Sequence, residues 1–154
     1  MSRITKLQKE QNYAIINAMV LDLFLKEGWT KVTYDRVSKI TGLRKSTLQG
    51  YYPTSNDFLI ALKSELKGLF LSRLDFSSRE RLITSWEKAM NESEFKNIID
   101  MFISHSVSKE PSLHAHRAMQ KLQSIIESAL PKTDSREIMV QLFGQAVVVP
   151  IATN

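Results

Sequence analysis

Between Arg44 and Tyr51 the sequence sets six donor-bearing side chains close together: Arg44, Lys45, Ser46, Thr47, Gln49 and Tyr51. No carboxylate interrupts them. Fixed cations neutralise phosphate, while guanidinium, amide and hydroxyl groups donate to base edges in a major groove. That chemistry is recognition of a polyanion rather than bond making. Bond making has few candidates elsewhere. The chain has no cysteine, which excludes disulfides, thiolate metal sites and cysteine nucleophiles. Its three histidines are His105, His114 and His116. The last two stand two residues apart, so on a helix they point to different faces and do not share a metal. There is no glycine-rich phosphate loop and no nucleophile elbow. No catalytic residue, metal site or cofactor is expected, and the chain reads as a non-enzyme.

The charge points the same way. The chain carries a net charge of +5. Residues 1–54 hold nine Lys/Arg against four Asp/Glu, whereas residues 55–154 hold twelve of each. The whole excess therefore sits in the first third, where a polyanionic partner would meet it. A basic face that is merely solvated would have the same composition, so charge alone leaves both readings open.

Such side chains need a scaffold that presents them. Helical periodicity runs through nearly the whole sequence, which predicts an all-α protein. A first helix is expected over about Lys6 to Lys26, with Ile16, Met19, Val20, Leu23 and Phe24 on one stripe and Gly28 ending it. Thr33 is placed to cap a short helix over Tyr34 to Ile40. Gly42 then allows a sharp turn into a helix over Lys45 to Tyr51. Val37, Leu43 and Leu48 supply an apolar lock between the two short helices, and Ser38 is the small residue where they cross. These are the offsets of a helix-turn-helix.

Beyond Pro53, one long helix is expected over Asn56 to Leu74. Further helices are expected over Arg79–Asn91, Glu94–Ser106, Ser112–Leu130 and Ser135–Val149. The Glu110–Pro111, Leu130–Pro131 and Val149–Pro150 steps are read as breaks. The sequence divides into residues 1–54, a helix-turn-helix domain expected to bind DNA, and residues 55–154, a second helical domain. The chain has 154 residues, of which 43% are apolar, enough for a real core. The first residues do not resemble a signal peptide, and the run Leu142 to Ala152 is too short to cross a bilayer. A soluble, cytoplasmic protein is expected.

Over roughly residues 10–60 the chain resembles the DNA-binding domain of TetR-family regulators. The matching residues are Leu23-Phe24, Glu27-Gly28-Trp29, Val32-Thr33, Val37, Gly42-Leu43, Thr47-Leu48, Tyr51-Tyr52 and Asp57-Phe58-Leu59. The resemblance implies that Thr33 and Tyr34 touch phosphate, that Arg44, Lys45, Ser46 and Thr47 enter the groove, and that Tyr51 lies near the DNA backbone. It implies a homodimer on a double-stranded operator, most often as a repressor, released by a small apolar effector. Gln49 and Ser55 depart from the family's usual tyrosine and lysine, both common phosphate contacts, so binding is expected to be weaker or differently oriented. The alternative is a helical ligand-binding or protein-interaction module that keeps the fold without operator binding. The chain is short for the family: it is a compact member, or one lacking the terminal helix.

In the remaining hundred residues the resemblance extends only to helical pattern. Trp86, Met90, Phe95, Ile99, Phe102 and Met119, with Ile98, Met101 and Leu113, are candidates for an effector pocket, against a stronger expectation that each is ordinary core. Ala115, Met119, Leu122, Ile126 and Ala129 recur at near-heptad spacing, as do Ile138, Leu142 and Val149. They are candidates for a dimer surface and equally for inward packing.

Overall fold

Capping chemistry places the helices in the computed structural model, which describes residues 4–110 and 112–152, with side chains through residue 148. The first helix, α1, spans Lys6–Glu27; its preceding Thr5 Oγ1 accepts from the Gln8 N–H at 3.1 Å. Gly28 ends it at φ +93°, a left-handed value that disfavours any residue with a Cβ. A short 3-10 turn, Trp29–Lys31, leads to Thr33, whose Oγ1 accepts from the Arg36 N–H at 3.3 Å. That cap starts α2, Tyr34–Thr41. Gly42 turns the chain at φ +74° into α3, Lys45–Tyr51. The helices expected between Lys6 and Tyr51 are therefore formed within a residue or so of their predicted ends.

Next come α4, Asn56–Ala61, and α5, Lys63–Ser72. The single long helix expected here is broken at Leu62, whose N–H bonds to the Leu59 carbonyl at 3.1 Å, a tighter step than the α-helical one. No proline or glycine marks the break. Phe58, Leu62 and Leu66 are all buried, so the apolar four-residue spacing continues straight through it.

The later helices are α6, Arg79–Ala89; α7, Ser93–Val107; α8, Leu113–Ala129; and α9, Ser135–Ala152. Ser78 Oγ caps α6 by accepting from the Arg81 N–H at 3.1 Å, and Ser112 Oγ accepts from the Ala115 N–H at 3.4 Å at the start of α8. Asp134 Oδ1 accepts from the Arg136 and Glu137 N–H groups at 3.0 and 3.2 Å, opening α9. The expected break at Val149–Pro150 does not occur. Helix α9 continues to Ala152, past the proline. The Glu110–Pro111 step involves a residue outside those described. Among the described residues every element is helical, so the fold is all-α.

The chain divides into two compact units, Met1–Gly68 and Leu69–Asn154. In the first, Ile16, Val20, Leu23 and Phe24 of α1 pack inward with Val37, Leu48, Tyr52 and Phe58. Met19, expected on that stripe, is 40% exposed instead. It lies at the edge of a helix whose inward face is already filled. In the second unit Leu82, Trp86, Phe95, Ile98 and Ile99 form the centre, joined by Leu122, Ile126, Ile138 and Leu142. Ser135 Oγ donates to Glu127 Oε1 at 2.9 Å and accepts from Gln123 Nε2 at 3.2 Å, clipping α9 to α8. Arg79 Nη2 donates to Gln141 Oε1 at 3.0 Å, tying α6 to α9.

These contacts correct the dimer-surface candidates. Ala115, Leu122, Ile126, Ile138 and Leu142 are buried within one chain, since α8 and α9 satisfy each other's apolar stripes. Met119 is half-buried and Ala129 exposed, while the Val149 side chain lies outside the described residues.

Phe58 is fully buried and stacked on Tyr52 with centroids 4.4 Å apart. Phe58→Ala should therefore lower the first unit's stability by about 3–5 kcal/mol. Ile60→Ala, at a 38% exposed site one helix face away, should cost no more than about 0.5 kcal/mol. Urea unfolding followed by Trp29 fluorescence in a Trp86→Phe background checks both. Equal costs at the two positions would show that the stacked pair does not hold this unit.

Candidate nucleic-acid interface

The two short helices are locked from inside before anything is presented outside. Val37 and Leu48 are fully buried, and Leu43 is half-buried beside them. Ser38 at the crossing donates from Oγ to the Leu43 carbonyl at 2.6 Å, and the Gly42 N–H bonds back to the Ser38 carbonyl at 2.9 Å. Thr41 Oγ1 accepts from the Leu43 N–H at 3.2 Å, so the turn's polar groups are bonded within the turn. The angle between α2 and α3 is thus fixed by apolar packing and three local hydrogen bonds.

With its inner face committed, α3 exposes the rest. Arg44, Lys45, Ser46, Thr47 and Gln49 are all exposed, and the helix carries no acid in its first turn. The predicted groove-facing residues therefore share one open helix start. Lys45 is not free there: its Nζ forms an ion pair with Asp35 of α2. Arg36 makes a two-pronged contact with Glu27, Nη1–Oε1 at 3.0 Å and Nη2–Oε2 at 2.6 Å. Lys26 pairs with Asp22 at 3.1 Å. Sequence reasoning missed the Asp35–Lys45 pair because the partners are ten residues apart on different helices.

The phosphate-side candidates have internal duties. Thr33 is exposed but uses its hydroxyl oxygen as the α2 cap. Tyr34 is half-buried and donates its phenol hydrogen to the Tyr52 carbonyl. Burial, and secondarily the Asp57 carboxylate, raise the Tyr34 phenol above the ordinary tyrosine range. Tyr51 is half-buried, edge-on to Tyr13 at 4.8 Å, with the Lys9 ammonium 5.9 Å from its ring centroid. Its hydroxyl accepts from Asn12 Nδ2 at 2.9 Å, leaving the hydroxyl hydrogen available to an acceptor such as phosphate. Ser55 is exposed beside α4 and caps nothing with its side chain.

Of the pocket candidates, Trp86, Phe95, Ile98 and Ile99 are buried, while Met90, Met101, Phe102 and Met119 are half-buried. Leu113 does not join them, being 59% exposed. It opens α8 two residues before that helix's first buried position, Ala115. Trp86 and Phe95 meet edge-on at 5.3 Å, and both contact Phe70, at 5.9 and 5.3 Å. Phe143 of α9 completes the cluster 5.2 Å from Trp86. Sequence reasoning missed Phe70 and Phe143. The four-residue spacing Leu62–Leu66–Phe70 was the available signal for the first.

The three histidines form no site among the described residues. His114 and His116 are exposed. Burial lowers the pKa of the half-buried His105, with Asp100 opposing it.

Burial, helped by the neighbouring Tyr13 and Tyr51, pushes the Tyr52 phenol far above the ordinary tyrosine range. An unfolded tyrosine releases its proton near pH 10, while folded Tyr52 keeps it. The stability Tyr52 contributes is therefore complete below about pH 10 and declines as pH rises beyond it. In an ultraviolet titration, Tyr52→Phe should leave the absorbance change near pH 10 unaltered. A smaller change in the variant would mean that Tyr52 ionises like a surface phenol.

Residues 63–149, from the start of α5 into α9, match the family described as the tetracycline repressor LuxT C-terminal domain. A comparison with curated proteins finds no match. The matched domain is a regulator's and not an enzyme's, in line with the sequence reading that expects no catalytic residue. It spans more than half of the chain, including the aromatic cluster around Trp86. By that match the chain belongs to the tetracycline-repressor-type transcriptional regulators that carry the LuxT C-terminal domain.

Proposed function

We propose that this chain is a cytoplasmic, homodimeric regulator that reads duplex DNA in the major groove with α3, as a repressor whose grip is relieved by a small apolar effector. Residues 1–54 carry the reader and residues 55–154 the regulatory and dimerisation functions. The observation that carries the proposal is the acid-free, exposed start of α3 on a helix pair locked from inside. The unequal charge of the chain adds to it, since the net +5 resides in residues 1–54. In this reading Arg44, Lys45, Ser46, Thr47 and Gln49 meet the groove, while Thr33, Tyr34 and Tyr51 approach phosphate. Trp86, Met90, Phe95, Ile99, Phe102 and Met119 line or border the effector site.

One observation favours a weaker variant of this reading. Lys45 is held by Asp35, and Ser55 supplies no charge where the family's lysine would. A chain that had lost operator binding while keeping effector or partner binding would look similar. Titration of duplex DNA at several salt concentrations separates the two. A reader's affinity falls with salt at a log–log slope of about −0.9 per phosphate neutralised. Absence of binding at low salt removes the DNA reading and leaves the interaction module.

The Asp35–Lys45 pair is an exposed one, with side chains 74% and 58% accessible. Pairs of that kind hold weakly, at roughly 0.2–1 kcal/mol. Asp35→Asn should therefore tighten DNA binding about two- to fivefold at low salt by freeing Lys45 and removing a nearby negative charge. Weaker binding in the variant would mean that Asp35 positions Lys45 for DNA instead of withholding it.

For the dimer we propose the outer face of α9. Val140, Val147 and Val148 are 67%, 48% and 62% exposed and lie within one helical stripe at seven- and eight-residue spacing. Val147→Glu should give folded monomers by sedimentation, with unchanged helicity and weaker binding to two-half-site DNA. A charge at Leu122 or Leu142 should unfold the second unit instead, as both are internal. A dimer undisturbed by Val147→Glu would place the interface elsewhere.

A further inference from the structure

Buried polar atoms without a partner are rare, because each forfeits the hydrogen bond it makes with water in the unfolded chain. Among the described residues three side-chain atoms are in this state: Trp86 Nε1, Ser106 Oγ and Gln145 Oε1. All three belong to the second unit. The helix-turn-helix unit has none among its described residues.

Trp86 stands out because it is 0% exposed and its indole nitrogen can only donate. Its surroundings offer that donor little. Phe70, Phe95 and Phe143 stand around it at 5.9, 5.3 and 5.2 Å, each steeply inclined to the indole. Phenyl rings present at most a π face, a weaker acceptor than oxygen. Ser106 lies one turn beyond Phe102 on α7, on the stripe that runs from Phe95. Gln145 donates through Nε2 to Glu87 at 3.3 Å, which leaves its Oε1 without a donor next to the Trp86 turn of α6.

The same interior has no charge to offer. Ser135 is the one buried polar residue among those described, and no lysine, arginine or histidine is buried. An anion taken into this core would lose its hydration with no counter-charge in return. A cation would lose its hydration with no buried carboxylate in return. Apolar walls with an idle N–H select a neutral molecule that carries an oxygen acceptor.

We infer that the effector of the second unit is a neutral, mainly apolar compound bearing a carbonyl-type oxygen, and that the Trp86 indole N–H donates the hydrogen bond that selects it. This rests on the effector reading above and assigns the chemical class. Trp86 is the specificity-determining residue, and the phenyl rings supply the apolar contact.

The test uses the full chain with 15N-labelled tryptophan. The chain has two tryptophans, Trp29 and Trp86, so two indole N–H signals appear, and Trp86→Phe assigns them. The probes are matched pairs with a carbonyl or a methylene at one position: acetophenone with ethylbenzene, and benzophenone with diphenylmethane. A ketone should bind about tenfold tighter than its hydrocarbon partner, the worth of one well-formed buried hydrogen bond. Only the Trp86 signal should move in the direction of hydrogen bonding. Trp86→Phe should abolish the preference for the ketone, so that both members of a pair bind equally. If that variant does not fold, the wild-type preference and the Trp86 signal decide the matter.

Equal binding of ketone and hydrocarbon to the wild type overturns the anchor and leaves the effector reading standing. Binding by no member of either pair overturns both. A Trp86 signal already at a hydrogen-bonded position, and unmoved by ketone, identifies a buried water as its partner and overturns the inference.

Discussion

Tyr52 is held from four helices at once. Its N–H bonds to the Leu48 carbonyl of α3 at 2.7 Å, and its carbonyl accepts from the Tyr34 phenol of α2. Its own phenol donates to Asn17 Oδ1 of α1, and its ring stacks on Phe58 of α4. A ring that large brings apolar area inward, and its hydroxyl is tolerated there only because a side-chain oxygen receives it. The end of α3 is therefore fixed against α1, α2 and α4 by one residue. Everything the exposed face of α3 can do depends on that, because donors address a groove only when the helix carrying them holds its angle. Tyr13 reinforces the arrangement by donating to the Tyr51 carbonyl at 2.9 Å.

This division between inner lock and outer face was largely legible in the sequence. Thr33, Ser38, Gly42 and the apolar lock act through short-range geometry, and short-range geometry is what residue spacing encodes. Helix starts at Ser78 and Ser112 were legible for the same reason, since a capping hydroxyl sits next to the helix it caps. The break at Leu62 was not, because it lies within an unbroken apolar stripe and no residue type announces it. The inward packing of Leu122 and Leu142 was undecided for a different reason. Near-heptad spacing defines a stripe, and a stripe does not say whether its cover comes from the same chain. Pro150 misled because a proline biases the chain away from helix without forbidding it.

Charge shows the same limit of local reading. The sequence counts nine cations in residues 1–54, but Lys26, Arg36 and Lys45 already face Asp22, Glu27 and Asp35. The net charge is unaffected by such pairing, so the long-range attraction to a polyanion survives. What changes is the short-range term: a paired lysine must leave one partner to reach another. Because these pairs are exposed and screened, phosphate can compete for them. The Arg36–Glu27 contact is two-pronged and so resists that exchange more than the single contacts do. On these grounds Arg36 serves the fold, whereas Lys45 remains exchangeable.

The two units also differ in how completely their interiors are satisfied. In the first, the buried or half-buried phenols of Tyr13, Tyr34, Tyr51 and Tyr52 all have hydrogen-bond partners, which makes for a single rigid arrangement. In the second, aromatic rings pack closely while an indole N–H, a hydroxyl and an amide oxygen stay unpaired. An interior of that kind retains a cost that a suitable guest removes, and removal of a cost in one arrangement is what lets binding favour that arrangement over others. In the proposed reading the first property serves the reader, whose donors are useful only at fixed positions, and the second serves the effector site.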